Sequence, residues 1–243
     1  VNPLSSTLNL SLCWTCGFTT NDQMVDGSDF EYSEANIITE KIELPKEYVP
    51  LSNNTKEDYQ TIKVIRYLKS RAITQDIISR NKIGFCQSGK YSGRVIIPSY
   101  DKYGELNYFI SRSYVNHKMK YLNPVTPKEE VIFNEDKINW NKNVFLVEGV
   151  FDSLFIPNSI PMLGKVMSDK LWEVMYGKLT KKIFIVLDSD AWGDAIKLYK
   201  KLDGGKLKEK VFLTKVPNDT DVADIVKNYG IDELKKILLS SGR

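Results

Sequence analysis

Three groups of carboxylates in the last hundred residues carry the chemistry of this 243-residue chain. One apolar run ends in Glu148-Gly149, and a second ends in Asp188-Ser189-Asp190. A third, weaker run is followed by Asp219, Asp221 and Asp224. Strands rich in Val, Ile and Phe that each deliver a carboxylate at the C-terminal end set those groups along one edge of a parallel sheet. That edge is where open α/β sheets bind ligands. Carboxylates crowded together repel one another unless a divalent cation neutralises them. The predicted chemistry is Mg²⁺-dependent work on phosphates.

The elements around these acids follow from the same stretch. From Asn143 onward apolar runs alternate with amphipathic ones. Strands are expected at 144–147, 160–163, 182–187 and 210–215, and helices near 151–156, 168–178, 192–203, 221–228 and 231–239. Strand–helix alternation means a parallel sheet with helices on both faces. Gly149 allows a sharp turn after the first strand and leaves Glu148 at the edge. Asp152 then falls in the first helical turn, where the positive end of the helix dipole favours it. Asp188 and Asp190, two positions apart, can converge on one cation, with Asp194 pointing along the next helix. The pattern does not fit a twelve-residue Ca²⁺ loop, which needs more oxygens at regular spacing. Taken singly, Glu-Gly-x-x-Asp also fits a polar strand end followed by a helix-starting Asp.

The region upstream is basic. Residues 61–128 hold 13 Lys+Arg against 3 Asp+Glu, so they carry +10, while the rest of the chain carries −7 within a total of +3. Such a block suits a polyanion, and equally a solvated basic face. An amphipathic helix is expected from Tyr59 to Arg71, and a second, capped by Thr74, through Arg80. Arg94–Tyr100 and Leu106–Ile110 read as a hairpin around Asp101-Lys102-Tyr103-Gly104. Tyr91, Tyr100, Tyr103, Tyr108, Phe109 and Tyr114 interleave with its basic residues. They suit stacking with single-stranded bases or ordinary packing. Residues 19–58 are polar, include Pro45 and Pro50, and read as linker or extended chain. No run of about 18 apolar residues is present for a membrane span. Three cysteines argue against a disulfide framework and for a reducing compartment.

Taken in order, these motifs resemble the DnaG-type primase core of bacteria and phages, with its Toprim domain, over about residues 60 to 230. The carrying segments are Tyr67-Leu68-Lys69-Ser70-Arg71, Gly93-Arg94-Val95-Ile96-Ile97-Pro98, Ile110-Ser111-Arg112 and Lys120-Tyr121-Leu122-Asn123. Glu148, Asp188 and Asp190 follow in the Toprim pattern. The resemblance implies that Glu148, Asp188 and Asp190 are catalytic and, with Asp221, hold two Mg²⁺ or Mn²⁺ ions. It implies that Arg112, Lys120, Tyr121 and Asn123 bind the incoming nucleotide, and that Arg71, Arg94 and Lys118 contact the template. Asp221-Val222-Ala223-Asp224 is closer to the phage version. Two departures stand out: the glycines before Arg112 are replaced, and Gly164-Lys165 stands where many members have Gly-Thr. Cys13-x-x-Cys16-Gly17 resembles the second knuckle of the family's zinc ribbon, which needs four ligands, so Zn²⁺ requires ligands upstream of Val1. His117 and Cys86 are the other candidate ligands, and both sit in the core region.

The expected organisation is a partial zinc-ribbon segment at 1–18, a linker at 19–58, a basic mixed α+β subdomain at 59–142 and the Toprim α/β domain with a terminal helix at 143–243. The expected function is synthesis of RNA primers from ribonucleoside triphosphates on single-stranded DNA. The expected setting is the cytoplasm of a bacterium or a phage-infected host, with a replicative helicase as partner and no membrane. No G-x-x-x-x-G-K-[ST] loop occurs, so no helicase motor is expected within these residues. A Toprim nuclease using the same metals, a topoisomerase, and a non-catalytic nucleic-acid-binding module are the competing readings. A topoisomerase needs a nucleophilic Tyr in a separate domain, for which 243 residues leave little room.

Overall fold

The computed structural model describes residues 10–12, 19–21, 41–52, 58–164, 166–178, 181–217 and 220–240. The chain divides into two compact units, Val1–Thr39 and Glu40–Arg243. In the first, β1 (Leu10–Leu12) pairs antiparallel with β2 (Thr19–Asn21), Leu12 opposite Thr19. Cys13 and Cys16 lie outside the described residues.

The second unit opens with β3 (Tyr48–Pro50), a sheet strand inside the 19–58 stretch expected to be linker or extended chain. Helix α1 (Tyr59–Ser70) starts where Asp58 Oδ1 accepts the Thr61 N–H at 2.9 Å, and it buries Val64 and Leu68. Thr74 caps α2 (Gln75–Arg80) through the Ile77 N–H at 3.3 Å. Then come β4 (Gly84–Cys86), β5 (Arg94–Tyr100) and β6 (Leu106–Ser113). These form an antiparallel sheet in the order β3-β4-β5-β6. The β5–β6 turn is set by Asp101, whose Oδ1 accepts the N–H groups of Tyr103 at 2.8 Å and Glu105 at 3.0 Å. Gly84 is required by close approach: a Cβ there would stand 2.5 Å from Val49 O.

The remaining elements are β7 (Val144–Val147), α3 (Val150–Ser153), β8 (Ser159–Pro161), α4 (Asp169–Lys178) and β9 (Ile183–Leu187). They continue with α5 (Trp192–Leu202), β10 (Val211–Lys215), α6 (Val222–Tyr229) and α7 (Ile231–Leu239). The strands form a parallel sheet in the order β10-β9-β7-β8, the α/β architecture expected from the alternation. Helices cover both faces. Val144, Leu146, Ile183 and Ile185 pack with Leu171 and Met175 of α4 and Leu198 of α5. Val147 and Val186 instead join α3, α6, α7 and the α1–β5 region in the larger core. That core makes residues 59–142 and the parallel sheet continuous. The helix after Glu148 is shorter than the expected 151–156: past Ser153 it tightens into a turn, with Leu154 N donating to Phe151 O and Phe155 N to Asp152 O, and Pro157 disfavours helical geometry at Ile156.

Candidate active site

The acidic edge is built from the C-terminal ends of β7, β9 and β10, where the sequence places it. After β7, Glu148 and Gly149 lead into α3, and Asp152 Oδ2 accepts the Gly149 N–H at 3.1 Å. Burial first, and then the Asp188 charge with smaller contributions from Asp221 and Glu148, push the Asp152 carboxyl up to about 7. The Gly149 hydrogen bond opposes that rise. Asp188 is raised to about 6, first by burial and then by Glu148, Asp221, Asp190 and Asp224. Asp221 caps α6, its Oδ1 accepting the Asp224 N–H at 2.7 Å. Asp219 lies outside the described residues.

A second small cleft, of about 60 Å³, is lined by Glu148, Asp190 and Asp194. Glu148 therefore belongs to two acidic neighbourhoods: this cleft, and the Asp152–Asp188–Asp221 group whose titration it shifts. Asp194 also pairs with Lys197 at 2.9 Å. Among the described residues, no three of these side chains already converge as a finished metal cage. Their chemistry nonetheless fits Mg²⁺ or Mn²⁺. The donors are all hard carboxylate oxygens, and their mutual repulsion is what a cation relieves. Mg²⁺ characteristically takes one or two carboxylates and completes its shell with water and substrate phosphates, so a closed cage is not required.

The basic side meets this edge at Phe151. Phe151 is buried, one residue before Asp152, and its ring centroid lies 5.0 Å from the Arg71 guanidinium carbon and 4.9 Å from that of Arg112. Arg112 also donates to the Tyr121 hydroxyl and lies 5.1 Å from the Tyr121 ring. Buried Arg71 Nε has no hydrogen-bond partner, and neither has the buried Tyr67 hydroxyl. Residues 120–122 run beside β6, with Ser113 N donating to Lys120 O and Leu122 N to Ser111 O, both at 3.0 Å. Asn123 Oδ1 accepts the Ser111 N–H at 3.1 Å, so this side chain anchors the segment. Lys118 and Lys120 are exposed.

Other expected residues have structural partners. Arg94 is only 3% exposed, and its Nη2 donates to Met119 O at 2.8 Å. Its guanidinium thus holds the 118–120 loop from beneath. Tyr91, Tyr108, Phe109 and Tyr114 are buried, whereas Tyr103 is exposed. Ordinary packing therefore accounts for the four buried rings. Cys86 is fully buried, with burial pushing its thiol up to about 12, and His117 Nδ1 accepts the Met119 N–H at 3.0 Å. Burial keeps Cys86 from serving as a zinc ligand. The site residue sequence reasoning underweighted is Asp152. The signal was present in the Glu-Gly-x-x-Asp spacing, but its burial arises from contacts remote in sequence.

The chain is a mixed antiparallel and parallel α/β core whose parallel sheet ends in a carboxylate edge, with the Arg71 and Arg112 guanidiniums against Phe151 beside it. The fold is that of the DnaG-type DNA primase catalytic core. The zinc-binding and RNA polymerase domains of the Aquifex aeolicus primase superpose with a TM-score of 0.64 at 25% identity, over 76% of this chain and 57% of that one. A DnaG primase catalytic domain bound to ssDNA gives the same TM-score at 19% identity, over 76% of each chain. In sequence, the chain is 29% identical over 187 residues to an uncharacterised Mycoplasma genitalium protein, covering 72% of this chain and 79% of that protein. It is 32% identical over 168 residues to the DNA primase of Aquifex aeolicus, covering 61% of this chain. The match spans 32% of that primase's length. No protein-family profile matches the chain.

Proposed function

We propose that this chain is the catalytic core of a DNA primase, probed best as a phage-type enzyme, joining ribonucleotides on a single-stranded DNA template by two-metal nucleotidyl transfer. One observation carries the reading. Glu148, Asp152, Asp188 and Asp221 form a mutually repelling edge, and the ring adjoining Asp152 in sequence carries the Arg71 and Arg112 guanidiniums. Anions that must be neutralised thus adjoin cations that bind phosphate. The template assignment is supported by the solved DnaG domain bound to ssDNA.

Glu148, Asp188, Asp190 and Asp221 would hold two Mg²⁺ or Mn²⁺ ions, which when bound would lower the pKa of the attacking 3′-hydroxyl and neutralise charge at the leaving pyrophosphate. Glu148, shared by the two acidic neighbourhoods, is the residue suited to serve both ions. Asp152 contributes negative charge from beneath and fixes the Gly149 turn. Arg112 presents a planar fork to the triphosphate, oriented by Phe151 and Tyr121, and Lys120 adds a mobile point charge. Asn123 and Arg94 position this segment, while Arg71 and Lys118 meet the template backbone. Cys13 and Cys16 would hold Zn²⁺ only with two further ligands. A replicative helicase partner and a cytoplasmic setting belong to the same proposal. No helix among the described residues is long and apolar enough to cross a membrane.

The test is incubation with labelled ribonucleotides, Mg²⁺ or Mn²⁺ and random single-stranded DNA, for the wild type and Asp188→Ala. Oligoribonucleotides made by the wild type alone, with DNA binding intact in both, are expected. A shortened template identifies a nuclease, DNA binding without products identifies a binding module, and synthesis retained by Asp188→Ala ends the assignment.

A further inference from the structure

A cleft of about 370 Å³ lies where α2 and the short turn Glu135–Lys137 meet α3 and the start of β8. Asn158 and Ser159, at the start of β8, line it, as does Pro161, which pairs with Val147; neither Glu148 nor Asp188 is among its lining residues. Nothing in the mechanism above uses it. Its charged lining residues are Arg80 and Lys137, and no carboxylate lines it.

Both cations are held in place. Arg80 Nη2 donates to Leu154 O at 3.2 Å, and Nη1 faces the largely exposed Asp76 at 3.4 Å. Lys137, exposed as a whole residue, folds its ammonium back to donate to Asn81 Oδ1 at 3.0 Å and Arg80 O at 3.3 Å. Its pKa is lowered, first by burial and further by Lys82 and Arg80, against the opposing pull of Asp136. The nearby carboxylates, Asp76 and Asp136, lie outside the lining of the cleft. A second feature is independent of charge. Asn134 lines the cleft, is 9% exposed, takes a left-handed conformation (φ 53°), and its buried Oδ1 has no hydrogen-bond partner. Buried polar atoms without partners are uncommon and ask for a ligand or water. Phe133, Leu154, Ile156 and Pro157 supply the apolar wall.

We propose that this cleft binds a small phosphate monoester with an apolar body. Two fixed cations without a lining carboxylate match a dianionic head, and a phosphate monoester is close to dianionic above its second pKa of about 6. The Arg80 fork and the Lys137 point charge suit phosphate oxygens, while the organic body lies against Phe133 and Ile156. A ligand whose body carries an O–H or N–H would also satisfy Asn134 Oδ1, whereas phenyl phosphate, which has none, reports the head and the apolar wall alone. A ligand there joins α2 to β8 and stabilises the fold by mass action.

The probes are phenyl phosphate, inorganic phosphate and phenol, titrated at about pH 8 into the full chain and followed by amide chemical shifts, at a pH where the monoester is a dianion. Phenyl phosphate is expected to saturate at least about tenfold more tightly than either fragment, with shifts centred on Asn81, Asn134 and Asn158. Lys137→Gln, which keeps a donor for Asn81, should weaken it about tenfold, and Lys120→Gln should leave these shifts unchanged. Phenyl phosphate binding no tighter than inorganic phosphate overturns the proposal. So do shifts confined to the Lys120–Arg112 trough, or wild-type affinity in Lys137→Gln. If that variant does not fold, the wild-type shift map and the fragment comparison decide the matter.

Discussion

Asp188 is the strongest single charge acting on Asp152, and after burial it is the main reason the Asp152 carboxyl titrates at about 7. The two residues are 36 positions apart in sequence: Asp188 directly follows β9, and Asp152 lies in α3, the helix that follows β7. Their closeness is a product of the parallel pairing of β7 with β9, which sets Val147 beside Val186. An edge assembled this way stores repulsion in the metal-free protein and releases it when a cation binds.

That repulsion has a definite sign in pH. The folded pKa values of Asp152 and Asp188, about 7 and about 6, lie above the ordinary 3.8. Between 3.8 and these values the folded state holds more protons than the unfolded one, so stability falls as pH rises through this window. Melts in EDTA should show wild type losing Tm relative to Asp188→Asn from about pH 4 to about pH 7. Adding Mg²⁺ should raise the wild-type Tm at the upper end and leave the variant nearly unmoved. A wild-type minus variant difference that is flat with pH contradicts the coupling.

Asp152→Asn isolates the buried acid. Asn keeps an oxygen for the Gly149 N–H, so the turn is retained while the charge is lost. Outer carboxylates of metal sites typically contribute about 10–100-fold to affinity or activity. The variant should therefore need more Mg²⁺ for half-maximal primer synthesis, lose activity in that range, and melt higher than wild type in EDTA at about pH 8. A Mg²⁺ titration of synthesis rate checks the first point and a melt checks the second.

The order of elements was legible in the sequence because buried parallel strands are uninterrupted apolar runs. Val144–Val147 and Ile183–Leu187 announce themselves in this way. The hairpin was legible through Asp101 and Gly104, whose turn chemistry is local. What sequence could not show was direction and depth. Arg94 reads as a basic residue in a basic block, yet its guanidinium turns inward to loop carbonyls. Tyr108 and Phe109 read as possible stacking platforms, yet both are buried. The cleft beside Asn134 joins residues 80–81, 133–138 and 153–161, a juxtaposition that exists only after the sheet and α2 dock.

Phe151→Leu tests the shared aromatic face. The change keeps the site apolar at the loss of some ring volume, costing about 1.5 kcal/mol at most, and each lost cation–π contact adds about 0.5–2 kcal/mol. The expected loss is about 1–5.5 kcal/mol by urea denaturation, with KM for ribonucleotides rising more than kcat falls. Phe151→Tyr should retain most of both. A Leu variant with unchanged KM would show that the ring does not orient Arg112.

Arg94 and Lys118 separate positioning from phosphate contact. Arg94 is buried on the carbonyl of Met119, so removing it strands a loop acceptor without removing a surface charge that DNA can reach. Hydrogen bonds to charged groups are worth about 1.5–3 kcal/mol, and Arg94→Gln should destabilise the protein by an amount in that range. Lys118 is exposed and pays no such structural role among the described residues, so Lys118→Ala should leave the melt unchanged. Binding to single-stranded DNA measured against salt reads the other half of the argument. Each neutralised phosphate contributes about 0.7 to the slope of log affinity against log salt for single strands. Lys118→Ala should lower the magnitude of that slope by about 0.7, while Arg94→Gln should leave it unchanged and weaken nucleotide binding through a loosened Lys120. The reverse pattern, a reduced slope in Arg94→Gln with a normal melt, would return Arg94 to the template surface.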